Sequence, residues 1–257
     1  ELSDVIYSKA KAEKNDAQII KALIHRFKFN AYIEEKSSEK AIYELRAEIK
    51  TAPYPAQPVL HSMLAELYWQ YYNNNMWLFQ NRSQTQNFAN DSIATWDLTR
   101  LVDETVKHYE LSLKLSDSLK RTPLNSLEPV IVKGDNTQYL RPTLFDFLAH
   151  RAIDFYNSNT PSISRPAEQF YVDKSEYYST PRNFTAVPLQ TNDTLAFSFY
   201  ALKHLQALEL FHLTDTNKNA LVDVSVKRIH FVHGQSIHPD KDTLYGEALS
   251  RLAANYP

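Results

Sequence analysis

Apolar positions recur at three- and four-residue steps along most of the chain, the spacing of one face of an α-helix. From Asp16, which reads as an N-cap, Ile20, Leu23, Ile24, Phe27 and Ala31 make one apolar stripe. The stretch "SEKAIYELRAEIKTAPYP" continues the pattern as far as Pro53 and Pro55, which stop a helix because proline lacks a donor and crowds the residue before it. The opening therefore predicts helix, turn, helix, turn, helix. Further helices are predicted near 57–78, 95–115, 143–157, 194–213, 218–231 and 239–255. The segment "RPTLFDFLAHRAIDFY" starts with Thr143 and Asp146 in capping-box spacing, with Asp where Glu is more usual.

The helix near 194–213 carries Phe197, Ala201, Leu205 and Leu208 on one face and Leu195, Phe199, Leu202 and Leu210 on the other. A helix apolar on two sides touches neighbours on both. That is the situation in an α-solenoid, where each hairpin buries its faces against the hairpins before and after it. The predicted fold is all-α, a tetratricopeptide-like stack of helical hairpins in which residues 1–257 form a single elongated domain, although no segment meets the tetratricopeptide consensus cleanly. Residues 158–192 interrupt the order with Pro161, Pro166, Pro181 and Pro188 and read as one long irregular loop. Within it "QFYVD" predicts a short extended piece, as does "PVIVKGDN" at 129–136 with Gly134 and Asp135 at a turn.

Composition removes several kinds of chemistry. Three glycines in 257 residues lie far below the average usage of about 7%, and they are scattered. A dinucleotide fingerprint, a P-loop and a nucleophile elbow all need clustered glycines, so each is excluded. The chain has no cysteine, which excludes disulfides, thiolate zinc sites, iron–sulfur clusters and a cysteine nucleophile. With 28 basic and 30 acidic residues the net charge is -2, too small a field to gather nucleic acid. No apolar run reaches the roughly 18 residues of a membrane span, and "ELSDVIYSKAKAEKND" lacks the apolar centre of a signal peptide. Beginning inside a helical pattern and ending at "LAANYP", the chain reads as a piece of something longer.

Candidate sites are few. His230, His233, His238 and Asp240 in "HFVHGQSIHPD" could gather around a metal, but Gly234 and Pro239 break the segment. Asp215, Asn217 and Asn219 begin like a calcium loop, yet Ala220 replaces its glycine and Val226 its bidentate Glu, so the stretch reads as a turn and helix start. His150 and Asp154 share a helix face with no nucleophile beside them. No catalytic, cofactor-binding or metal-binding residue is assigned, and the chain is expected to be no enzyme and to carry no cofactor. What remains are aromatics. In "LHSMLAELYWQYYNNNMWLFQNR", most rings from Tyr68 to Phe79 are expected in the core, with Trp69, Tyr72 and Trp77 as an alternative platform for a sugar or peptide. In the loop, Phe170, Tyr171, Tyr177, Tyr178 and Phe184 either cap exposed helix faces or contact a partner, and partner contact is the expectation adopted.

The stretches "AEIKTAPYPAQPVLHSMLAELYWQYY", "IATWDLTRLVDETVKHY" and "YLRPTLFDFLAHRAIDFY" resemble the N-terminal helical region of the very large alpha-2-macroglobulin-like proteins of Bacteroidetes-type bacteria, along most of the chain. The resemblance implies a protein exported to the periplasm or cell surface, with macroglobulin-like β-sandwich domains downstream and a role in trapping or inhibiting proteases. The bait region and thioester of that family would lie beyond residue 257. The chain itself would be a non-enzymatic scaffold or protein-interaction module that contacts the downstream domains of the same chain or a partner protein, with no nucleic acid and no transmembrane segment. A different reading is a stand-alone exported helical-repeat receptor that binds a glycan or peptide.

Overall fold

A computed structural model describes residues 2–79, 92–132, 134, 137, 139–158 and 169–256. The fold is all-α: among the described residues there are twelve α-helices, three 3-10 turns and no strand. Among the described residues extended pairing is confined to two isolated bridges, Pro123 with Thr143 and Val172 with Ser236. The sequence reading treats residues 1–257 as one domain; by packing they group into two compact units, Glu1–Lys133 with Thr143–Leu148, and Gly134–Pro142 with Ala149–Pro257.

The first unit opens with α1 (Leu2–Ala12) and α2 (Asp16–Ile33), packed on each other. The cap of α2 is Asn15, whose side chain accepts from the Gln18 amide at 3.1 Å. Asp16 is thus the first residue inside the helix and not its cap, and its charge suits that end of the helix dipole. Next come α3 (Ser37–Ile49) and α4 (Ala56–Asn74), with Pro53 and Pro55 between them as the sequence predicts. After α5 (Met76–Phe79), α6 (Leu98–Leu113) begins at Asp97, which caps the Arg100 amide at 2.7 Å. Helices α4 and α6 make the most extensive pairing in this unit. Their buried faces carry Leu60, Leu64 and Tyr68 on one helix and Leu101, Val102 and Tyr109 on the other. A short α7 (Ser116–Arg121) follows.

The predicted capping box opens α8 (Leu144–Tyr156). The Thr143 amide and hydroxyl both donate to Asp146 Oδ2, at 2.9 and 2.7 Å, and the Asp146 amide donates to Thr143 Oγ1 at 3.3 Å. Asp does the work of the usual Glu. Of "PVIVKGDN", Pro129 and Val130 form a turn and Ile131 and Val132 are irregular, so the extended piece is absent there; residues 133, 135 and 136 lie outside the described set.

The second unit holds the rest of α8, α9 (Pro181–Phe184), α10 (Phe197–His212), α11 (Asn219–Gln235) and α12 (Lys241–Asn255). Helix α10 packs on α9 and α11, and α11 packs on α12. On α10, Phe197, Ala201, Leu202, Leu205 and Leu208 are buried, Phe199 is half-buried and Leu210 is 61% exposed, while Leu195, also half-buried, precedes the helix. Counted at about 100° per residue, the buried set is one stripe roughly 140° wide. The two opposed faces expected from the sequence are therefore a single broad one, with Leu210 beyond its edge. No helix among the described residues is long and apolar enough to cross a membrane.

Candidate functional site

Two charged residues sit where the helical pattern calls for apolar ones. Arg228 follows Leu221, Val224 and Ser225 on the buried stripe of α11, and Glu209 follows Leu205 and Leu208 on α10; both side chains are fully buried. Arg228 Nε donates to Glu209 Oε1 at 2.8 Å, and Ser225 Oγ donates to the same oxygen at 2.8 Å. Burial pushes the Glu209 carboxyl upward, and the guanidinium beside it pulls the other way. The remaining guanidinium nitrogens reach out of the helices, Nη1 donating to the carbonyl of Tyr177 and Nη2 to that of Ser179 at 2.9 Å. Its carbon lies 4.5 Å from the centre of the Phe184 ring, close enough for a cation–π contact.

Two further donors repeat the device. Arg251 Nη2 of α12 donates to the Tyr178 carbonyl at 3.0 Å. Gln206 Nε2 of α10 donates to the carbonyls of Phe184 and Val187, both at 2.8 Å. Residues 177–187 are thereby held to the helices through their backbone. Their rings turn inward, and Tyr177, Tyr178 and Phe184 are buried. This corrects the expectation that these three meet a partner: they are packing groups. Burial, reinforced by the charges of Asp173 and Glu176, pushes the Tyr177 hydroxyl up to about 12.

Phe170 and Tyr171 remain accessible. Phe170 is half-buried and stands edge-on to Phe199, ring centres 5.7 Å apart, while Tyr171 is 51% exposed. Between them and the helices, the Ile237 amide donates to the Val172 carbonyl at 3.0 Å. A cleft of about 830 Å³ opens here, within the roughly 300–1,000 Å³ of small-ligand pockets. It is lined by Gln169–Tyr171, Asp173, Lys174 and Tyr177 on one stretch of chain and by Pro188, Gln190–Asn192 and Phe199 on another. Aromatic faces, amides and one charge of each sign suit a neutral, hydrogen-bonding ligand with apolar parts.

A second cleft, of about 780 Å³, lies in the first unit beside Tyr43, Arg46, Lys50, Glu104 and His108. Its charges are largely spent on one another. Glu104 accepts from Lys107 at 2.8 Å and lies 3.6 Å from His108 Nε2, and the bond to His108 leads in holding its carboxyl down at about 2. His108 and His61 meet Nδ1 to Nδ1 at 2.8 Å, so one ring donates and the other accepts. Burial, with the charges of His108 and Lys107, lowers His61 to about 4.

The other sequence candidates scatter. His230 bonds the Tyr245 hydroxyl at 2.9 Å, His233 bonds Asp242 at 2.7 Å, and His238 accepts from the Asp240 amide at 3.1 Å. Among the described residues no group of three or more such side chains is arranged to hold a metal ion. Asp215 bonds His212 at 2.6 Å and Asn217 accepts from the Asn219 amide at 2.9 Å, which makes the calcium-like stretch a turn. His150 and Asp154 meet through a third residue: Lys227 reaches His150 Nδ1 at 3.2 Å and bonds Asp154 as well. Burial, then Arg141, Lys227 and His212, lowers His150 to about 2.

In the 68–79 cluster Tyr68, Tyr71 and Phe79 are buried, so half of the six rings, and not most, belong to the core. Trp69 and Tyr72 are half-buried with ring centres 5.0 Å apart, and Trp77 is 67% exposed. Sequence reasoning missed the Arg228–Glu209 anchor, whose signal was a charge at an apolar position of each helix. Compared with protein-family models, curated proteins and solved structures, the chain matches none.

Proposed function

We propose that the chain is a non-enzymatic helical interaction module that holds a stretch of another polypeptide in the cleft beside Phe170 and Tyr171. On the family resemblance, it serves an exported alpha-2-macroglobulin-like protein of the cell envelope, and the stretch it holds comes from the downstream domains or from a partner protein. The observation that carries this reading is the exposed Tyr171 in a cleft whose neighbouring chain is fixed by Arg228, Arg251 and Gln206. A wall ordered before binding spares the ligand the cost of ordering it. A photoreactive phenylalanine analogue at Tyr171 in the intact protein tests the reading. Crosslinks to downstream domains or to another protein are expected, and they should vanish when the analogue is moved to Lys21 on α2. Crosslinking to no polypeptide counts against it.

The exposure of Trp77 favours a second reading, a glycan-binding platform formed with half-buried Trp69 and Tyr72. If it holds, the isolated chain binds soluble glycans and Trp77→Ala removes that binding without loss of stability.

A further inference from the structure

We infer that the cleft takes its ligand as an extended peptide strand, paired through the main chain with Tyr171 and Asp173. The inference rests on the docking reading above and names the form its ligand takes.

Successive residues of an extended chain aim their N–H and C=O groups to opposite sides. Val172 bridges Ser236 in parallel register and gives its carbonyl to the Ile237 amide. Its two neighbours must then direct their main-chain groups away from that bridge. The extended geometry persists to Lys174, with φ -94° and ψ 133°. Burial alternates in step, since Val172 is buried while Tyr171 and Asp173 are exposed.

Among the described residues the main-chain groups of Tyr171 and Asp173 have no hydrogen-bond partner. They form an edge that no described residue pairs with, on a stretch that lines the cleft. Across the lining, Gln190 also has no main-chain partner among the described residues. A sugar or a compact small molecule would leave such a row of alternating donors and acceptors poorly matched. An extended peptide carries the complementary row at the same spacing. Phe170 and Phe199 then offer a ring pair to one of its apolar side chains.

The probe is a random dodecapeptide library displayed on phage and selected on the 257-residue chain; selected sequences are then remade as synthetic peptides. Binding should protect the Tyr171 and Asp173 amides from hydrogen exchange. N-methylation along the peptide should weaken binding about tenfold at alternate positions and little between them. Asp173→Pro, which removes one edge donor that has no partner among the described residues, should weaken binding by about the same factor with the helical circular dichroism unchanged. Asp173→Asn should bind as the parent does. Peptides that protect the cleft yet tolerate N-methylation everywhere, or an Asn variant as weak as the Pro variant, would overturn strand pairing and leave docking in place. Failure to select any peptide that protects the cleft would overturn both.

Discussion

Tyr68 and Trp77 sit in the same aromatic cluster but in opposite environments, the first fully buried and the second 67% exposed. Removing a buried aromatic side chain costs about 3–5 kcal/mol, whereas an exposed one away from special features changes stability by about 0.5 kcal/mol or less. Tyr68→Ala should therefore shift the urea midpoint strongly and Trp77→Ala hardly at all. The same ruler applies to the loop. Tyr177→Ala and Phe184→Ala should each be as damaging as Tyr68→Ala, and Tyr171→Ala should leave stability near that of the parent while weakening docking. Burial of Tyr68 and Tyr71 was legible because they fall on a helical stripe with Leu60 and Leu64. Burial of Tyr177 and Phe184 was not, because a proline-broken stretch has no period to read, and the donors that draw it inward lie on other elements.

Helices are where the sequence spoke most clearly. The run of apolar steps and the Thr143–Asp146 box led to helices whose ends differ from expectation by a few residues, as at Asn15, where the cap precedes the acid that resembled one. A lone charge within an apolar stripe was legible too, although pairing Arg228 with Glu209 requires knowing that α10 and α11 lie side by side. Breaking a buried ion pair from one side leaves a charge with no compensation, at about 3–5 kcal/mol. Arg228→Met should thus destabilise the second unit by that order. Arg228→Met combined with Glu209→Leu should recover part of the loss, since no charge is then stranded. Full recovery is not expected, because the carbonyls of Tyr177 and Ser179 still lose their donor. Chemical denaturation of the single and double variants checks both points.

Across the whole molecule, each unit holds a histidine kept neutral by burial: His61 in the first, lowered from 6.5 to about 4, and His150 in the second, lowered from 6.5 to about 2. In both cases the unfolded chain takes up the proton before the folded one does. Their contribution to stability is therefore intact above about pH 6.5 and is lost as pH falls, completely by about 4 for His61 and continuing to about 2 for His150. Melting temperature should decline through that window, and His61→Gln should flatten the upper part of the decline. His150 stood out in the sequence only beside Asp154 and His61 not at all, and neither shift was legible there, since desolvation depends on what closes over a ring. The anchoring of residues 177–187 has a different kind of consequence. Arg228, Arg251 and Gln206 grip carbonyls, and every amino acid supplies one. The path of that loop is thus written in the helices beneath it, so its outward-facing letters can be exchanged freely while three helical donors cannot, and a designer could rewrite the stretch that joins the two walls of the cleft without redrawing its course.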